Sequence, residues 1–482
     1  MQKLTAIYTC LFLFSGSLLL SSCRKLLEIS PPIDTVTTGE MFANNKQAEL
    51  AIAGVYSTLA HGTQITITSL IPDYVFSSGL STITGSFSSD ELLPPASATG
   101  EELRLAQNKI NLGATAKTDA LWKSAYKVIY DATAVIEGIE ASTSAALIGS
   151  VRDQLTGEAL ALRAFSYFYL VNYFGDLPMV LTSDSKKILA LKRSPVSQVY
   201  DQIISDLVKA RSLLSSDFAF TGNEKIRVNK WFAEALLARV YLYTGRYQDA
   251  INSSTAVINQ TGLFGLNQEL SDVFLKNSRE AIFQLKQTTD DAFLKNGTPE
   301  GLRLLFVPGQ LPAPLFTLSE QLLNSFEAND KRKTVWTASH PPHQTPAKYK
   351  NGEGKEYYMV MRLAEQYLIR AEAIVRGTPG NAGAAVADLN LLRRRADLTE
   401  LDNNLPAASV LDTIMHERRI EFFAEWGHRW FDLKRTGKAH EVLSAIPIKQ
   451  PWAGDFQLLY PIPAPEIKNN ALLEQNPEYD NF

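Results

Sequence analysis

Apolar residues recurring three and four positions apart constrain this chain most, because that spacing gathers them on one helical face and commits the face to burial. Residues 119–140 carry Leu121, Trp122, Ala125, Val128, Ile129 and Ala132 in this register. Residues 151–174 repeat it with Leu155, Ala159, Leu162, Ser166 and Tyr169, and Gly175 and Pro178 stop the helix. Ser194-Pro195 opens another over 195–214, with Val199, Ile203, Leu207 and Ala210 on one stripe. A helix is predicted from about Gly39 to Ala60, capped by Thr38 or Gly39, and one more long helix over 408–426. The pattern predicts a mainly α fold.

Some of these stretches pair as hairpins. In 229–260, Trp231, Ala235, Ala238 and Leu242 line one helix, Thr244-Gly245-Arg246 turns the chain, and Ala250, Ile251 and Val257 line the next. Small packing residues with a glycine turn before Tyr and Ala resemble a tetratricopeptide unit. Residues 360–376 and 382–398 look like a second such unit, and 151–174 with 195–214 like a third. Two segments do not fit this tetratricopeptide-like helical-repeat scaffold. Residues 61–100 are rich in Ser, Thr, Gly and Pro and read as an irregular excursion or a set of short strands, not a helix. Residues 262–358 are also irregular, with Pro299, Pro308, Pro312, Pro314, Pro341-Pro342 and Pro346. Loops this long are uncommon and often functional. The tail from Gln450, rich in Pro and Asn, is expected to wrap over the surface.

The first residues set location. Lys3 precedes a mostly apolar run from Leu4 to Leu20, followed by Ser21, Ser22 and Cys23. That order is a secretory signal. The run falls short of a spanning helix and is interrupted by Thr9, Ser15, Gly16 and Ser17. Leu20-Ser21-Ser22-Cys23 resembles the bacterial lipobox, which implies loss of residues 1–22 and acylation of Cys23. Several acyl chains anchor stably, since each buried methylene contributes about 0.8 kcal/mol. Residues 23–40, with Pro31-Pro32, read as a lipidated tether. The other cysteine, Cys10, lies in the signal, so the mature chain offers no disulfide, no thiol nucleophile and no cysteine-ligated metal. The balance of 47 basic against 51 acidic residues leaves no nucleic-acid footprint.

Several separated blocks then resemble one family, the SusD/RagB nutrient-binding lipoproteins of Gram-negative bacteria. The first runs from Glu158 to Phe165 and on to Tyr173-Phe174-Gly175-Asp176-Leu177-Pro178. The second is Met361 to Ala373. The third is Glu417-Arg418-Arg419-Ile420-Glu421 with Gly427 to Arg435, and the fourth is Tyr460-Pro461-Ile462-Pro463 with Glu466-Ile467 and Gln475-Asn476-Pro477. With the lipobox they follow the family's order along nearly the whole chain. The resemblance implies a SusD-like N-terminal region over 41–225 and a RagB/SusD C-terminal region over 226–482. It implies a binding protein with no catalytic activity and no cofactor, held at the outer membrane beside a SusC-like TonB-dependent transporter. Its ligand would be an oligosaccharide or, as in some members, a peptide. A helical-repeat interaction protein without a small ligand is the alternative. Two departures stand out: Thr133 where members often have asparagine, and Arg24-Lys25 where an acidic cluster often follows the lipidated cysteine.

The densest charge lies between Glu417 and Arg435, where Glu421, Glu425 and Arg429 fall four apart, as on one helical face. The resemblance implies that these residues, with Arg163, Arg362, Glu365, Arg370 and Glu372, form a structural ion-pair network rather than a glycosidase acid and base. His340 and His343 lack a third metal ligand nearby. His416-Glu417 begins like a zinc-protease motif, but position 420 is Ile. A sugar site needs aromatic faces for ring C–H surfaces and a few polar groups for hydroxyls. Trp122, Trp231, Phe165 and Tyr241, on helical stripes, are assigned to the core. The ligand-binding candidates are Tyr74, Phe76, Phe87 and Asp90 in the first excursion, and Phe293, Asn296, Phe306 and Trp336 in the second.

Overall fold

The computed structural model describes residues 38–62, 75–112, 115–287, 297–306, 314–350 and 354–479. Cys23, the signal and most of the tether lie outside these residues, as do Tyr74, Phe293 and Asn296.

The helical periodicity is realised as an array in which neighbours in sequence are neighbours in space. Asn45–His61 packs on Ala116–Ala141, which packs on Gly149–Phe174, and this in turn on Val196–Leu213. Lys230–Tyr243 continues the array onto Tyr247–Ile258. The chain then leaves for the second excursion and returns with Leu363–Gly377, which packs directly on Tyr247–Ile258, followed by Ala382–Arg395 and Ala407–Glu421. The array is thus continuous in space where it is interrupted in sequence. Gly149–Phe174 is its axis. From Leu155 to Phe174 every side chain except Asn172 is buried, so this helix meets protein on all sides. Glycine permits the closest approaches. A Cβ on Gly157 would meet the Leu214 side chain at 2.8 Å, and one on Gly138 would meet the Phe42 ring at 2.1 Å.

Three expectations need correction. Residues 61–100 are not free of helix: Ser81–Ser88 is helical, the turn Phe76–Leu80 leads into it through non-helical Ser78 and Gly79, and both are wholly buried. Most of their hydroxyls are satisfied internally, those of Ser78 and Ser81 excepted. Ser77 donates to the Leu59 carbonyl, Thr84 to the Leu80 carbonyl, and Ser88 shares a 2.7 Å hydrogen bond with Tyr460. Small polar residues therefore let a helix cross the core without showing an apolar stripe. The helix expected over 408–426 stops at Glu421. Ala424, Trp426 and Gly427 take positive φ, and a separate helix follows, His428–Arg435. The tail does more than wrap the surface, because Tyr460, Ile462, Asn476 and Tyr479 are buried and Tyr460 N–H donates to the Tyr173 carbonyl.

The charges of the C-terminal block are buried and paired. Arg332 meets Asp330 and Glu417 at 2.8 Å and Glu421 at 3.2 Å. Arg362 meets Glu421 at 2.5 Å and Glu425 at 2.9 Å, and Arg395 pairs with Glu280 and Glu421. Burial opposes ionisation of Glu421, yet Arg395, Arg362 and Arg332 hold its carboxyl well below the usual range. Arg239 meets Glu365 and Arg435 meets Glu372, each at 2.6 Å, and Arg163 meets Asp206 at 2.8 Å. These carboxylates face guanidinium groups inside the protein.

Candidate functional site

The two excursions meet each other. Leu92–Leu93 pairs antiparallel with Thr317–Leu318. Next to this pair Ser319 N–H donates to the Glu91 carbonyl (2.8 Å) and its hydroxyl to the Asp90 carbonyl (2.5 Å). The Phe87 ring sits 5.6 Å from that of Phe316, tilted by 53°. Segments more than 200 residues apart in sequence are thereby fixed against one another.

A groove of about 210 Å3 opens beside this junction. Ile83, from the buried Ser81–Ser88 helix, contributes an apolar surface. Leu315 and Phe316 come from the second excursion and Pro95, Ala98 and Thr99 from the first. Three charged side chains complete it: Glu102, Lys117 and Arg303. Lys117 lies on the first turn of Ala116–Ala141, and its ammonium is 2.6 Å from Glu102. That turn is fastened by Glu101, whose carboxylate accepts from the backbone N–H of Lys117 (2.8 Å) and of Thr118 (3.2 Å). A carboxylate at a helix N-terminus satisfies donors that have no partner within the helix. Burial would raise the Glu102 carboxyl, but the Lys117 ammonium outweighs it and holds Glu102 below its ordinary value. The groove thus combines an aromatic ring, aliphatic surface and a short charged wall, the mixture that small polar ligands with apolar faces require.

The sequence-derived candidates fall in different places. Phe76 is buried against Phe165 and Tyr169, with ring centroids 6.0 and 5.8 Å away. Trp336 is buried beside Phe274, and its indole N–H donates to the Leu270 carbonyl (3.0 Å). Asp90 is clamped by Arg429 (2.7 Å) and Arg419 (2.7 Å). Burial pushes its carboxyl up, but these guanidinium groups win and hold it below the ordinary range. Phe87 is also buried, and acts by backing Phe316. These four serve the core, because none presents a face to the groove. Phe306 is half-buried, its ring centroid 4.9 Å from that of His340 and nearly perpendicular to it. Tyr74, Phe293 and Asn296 lie outside the described residues. Phe316, Arg303, Lys117 and Glu102 line the groove and are not among the sequence-derived candidates. Phe316 follows Pro312 and Pro314, so the rule that selected loop aromatics reaches it. Lys117 and Glu102 carry no such signal, since their role depends on where a helix begins.

Comparison with known proteins settles the family. The SusD-like profile described as starch-binding and associating with the outer membrane matches residues 84–242, and the SusD family profile matches 323–479. The chain belongs to the SusD/RagB family. It is 28% identical over 419 residues to SusD-like protein P2 of Formosa agariphila, covering 75% of this chain and 80% of that one. Over a shorter stretch of 129 residues it is 34% identical to the starch-binding protein SusD of Bacteroides thetaiotaomicron, covering 25% and 21%. In three dimensions it resembles a SusD superfamily protein of B. thetaiotaomicron, with TM-score 0.75 and 24% identity, covering 90% of this chain and all of the other. A laminarin-binding SusD-like protein superposes with TM-score 0.71 at 24% identity, covering 91% and 100%. At these identities the structural likenesses speak to the fold, and they match the SusD-type helical-repeat architecture.

Proposed function

We propose that this SusD/RagB chain is a lipid-anchored receptor of the outer membrane that binds an oligosaccharide between its two excursions and delivers it to a SusC-like TonB-dependent transporter. The observation that carries the reading is the junction itself. Two long insertions in the helical array are stitched together by paired strands, and a groove with an aromatic ring and a charged wall opens there. The family's description as starch-binding and outer-membrane-associated supports a glycan ligand and that location. The lipobox supplies the anchor, through acyl chains on Cys23. The receptor makes and breaks no covalent bond. The conspicuous carboxylates of the C-terminal block are locked in ion pairs.

Isothermal titration of the mature chain with a panel of neutral hexaoses tests the ligand class. We expect one glycan to bind and Phe316→Ala to weaken it about tenfold, the loss of one stacked ring. Heat evolved only with peptides, and with no sugar, would overturn the glycan assignment.

A further inference from the structure

A second groove, of about 330 Å3, lies along the Ala116–Ala141 helix and uses none of the residues of the first. Its floor is aromatic. Trp122, Tyr126 and Tyr130 follow at four-residue steps and so share one stripe of the helix. The rings of Trp122 and Tyr126 are 4.7 Å apart and tilted by 46°. Tyr126 is held in place by its hydroxyl, which donates to the Pro178 carbonyl at 2.9 Å. Tyr130 is 39% exposed. Across the stripe the Ala464–Asn469 helix contributes Glu466 and the exposed Asn469.

The polar rim is close to electrically neutral. Lys127 is compensated by Asp131 at 2.5 Å, which leaves Lys123 facing Glu466. Burial raises the Glu466 carboxyl and Lys123 draws it back down. Such a rim selects neither anions nor cations. Trp122 is buried and backs Tyr126, so the ring surfaces open to the groove are those of Tyr126 and Tyr130. With an amide, an ammonium and a carboxylate around them, they suit a neutral, hydroxyl-rich chain whose units each have an apolar face. Lys117 of the first groove and Tyr126 of the second are nine residues apart on one helix. That is about 14 Å along the axis and half a turn around it, so the two grooves open on opposite faces.

We propose that the Trp122–Tyr126–Tyr130 stripe is a second saccharide-binding site, independent of the groove between the excursions. The proposal rests on the reading of the ligand as a glycan. Its consequence is bivalency. A polysaccharide long enough to engage both faces is held more tightly than a short oligomer, with no new contact required.

The test combines titration with malto-, laminari-, cello-, xylo- and mannohexaose and gel retardation by the matching polymers. The proteins compared are the unaltered mature chain, Tyr130→Ala, Asn469→Ala and Phe316→Ala. Tyr130 and Asn469 are exposed, so both variants keep the fold. We expect two sites per chain for one hexaose. Tyr130→Ala should weaken one about tenfold and Phe316→Ala the other, and either change should reduce retardation by the polymer. A single site lost with Phe316→Ala and indifferent to Tyr130→Ala overturns the second site and leaves the first. A single site with the opposite response keeps the stripe and overturns the groove at the junction. Absence of binding to every hexaose overturns both. Loss of transporter capture in Tyr130→Ala, with glycan stoichiometry unchanged at one, assigns the stripe to a protein contact and overturns the proposal.

Discussion

Gly85 and Gly427 hold two buried segments closer than any other residue pair would allow. A Cβ on Gly85 would sit 2.5 Å from the Gly427 Cα, and backbone cannot swing aside as a side chain can. Gly427 also has φ +74°, a conformation glycine takes without strain. Gly85→Ala should therefore cost about 1–3 kcal/mol of overpacking, read as a lower denaturant midpoint with the slope unchanged. Nothing around Gly85 in the sequence announces this, because the partner is more than 300 residues away. Glu300 makes the second prediction at this scale. Burial, with the Glu425 carboxylate adding repulsion, pushes its carboxyl up to about 8. An acid that binds its proton more tightly when folded contributes stability that is complete below its unfolded value, about 4.3, and is lost as the pH rises through about 8. Glu300→Gln removes that titration. The variant should match the unaltered protein near pH 4 and exceed it by a few kcal/mol at pH 8. Parallel curves from pH 4 to 8 would show that Glu300 does not titrate in this range.

Helices with one buried face were legible from spacing alone, and the hairpin Lys230–Tyr243 with Tyr247–Ile258 turns at the Thr244-Gly245-Arg246 that the sequence marks. A short buried element built of small polar residues was not. Ser81–Ser88 has no polar face to contrast with an apolar one, so its Ser and Thr content reads as loop. The end of Ala407–Glu421 was hidden for a different reason. Glu421, Glu425 and Arg429 keep helical spacing through a break that tertiary contacts impose: Trp426 N–H donates to the Thr82 hydroxyl (2.7 Å) and Ala424 N–H to the Glu91 carboxylate (3.3 Å). The candidate site divides the same way. Its location at the excursions was visible in composition, but Asp90, Phe76 and Trp336 looked like loop residues only because the packing above them was not. Arg362 shows what joins these elements. It ends the Tyr358–Arg362 strand and reaches Glu421 at the end of one helix, Glu425 in the break beyond, and Glu280 beside the partner strand. Arg362→Met should cost about 3–5 kcal/mol, since it leaves buried carboxylates short of a cation. Adding Glu421→Gln should return part of that loss, and a double variant no better than the single one would mean the pair is not coupled.

At the scale of the whole molecule, the proposed function assigns binding and anchoring to separate parts of the chain, which can be removed separately. Among the described residues no helix is long and apolar enough to cross a membrane. The proposed attachment is through Cys23. One acyl chain binds a membrane only marginally, and stable residence takes more than one. Cys23→Ser removes them all. The variant should leave the membrane fraction on fractionation. In solution it should bind its hexaose as tightly as the mature chain, because the described residues that line the groove beside Phe316 all lie beyond the tether. Phe316→Ala should do the reverse: it stays with the membrane and loses about tenfold in affinity. Both should fail to support growth on low concentrations of that glycan, the first for want of proximity to the transporter and the second for want of occupancy. Raising the glycan concentration should then rescue Phe316→Ala, since occupancy depends on concentration, but not Cys23→Ser, since proximity does not. Rescue of both to the same extent would break the link between anchoring and delivery.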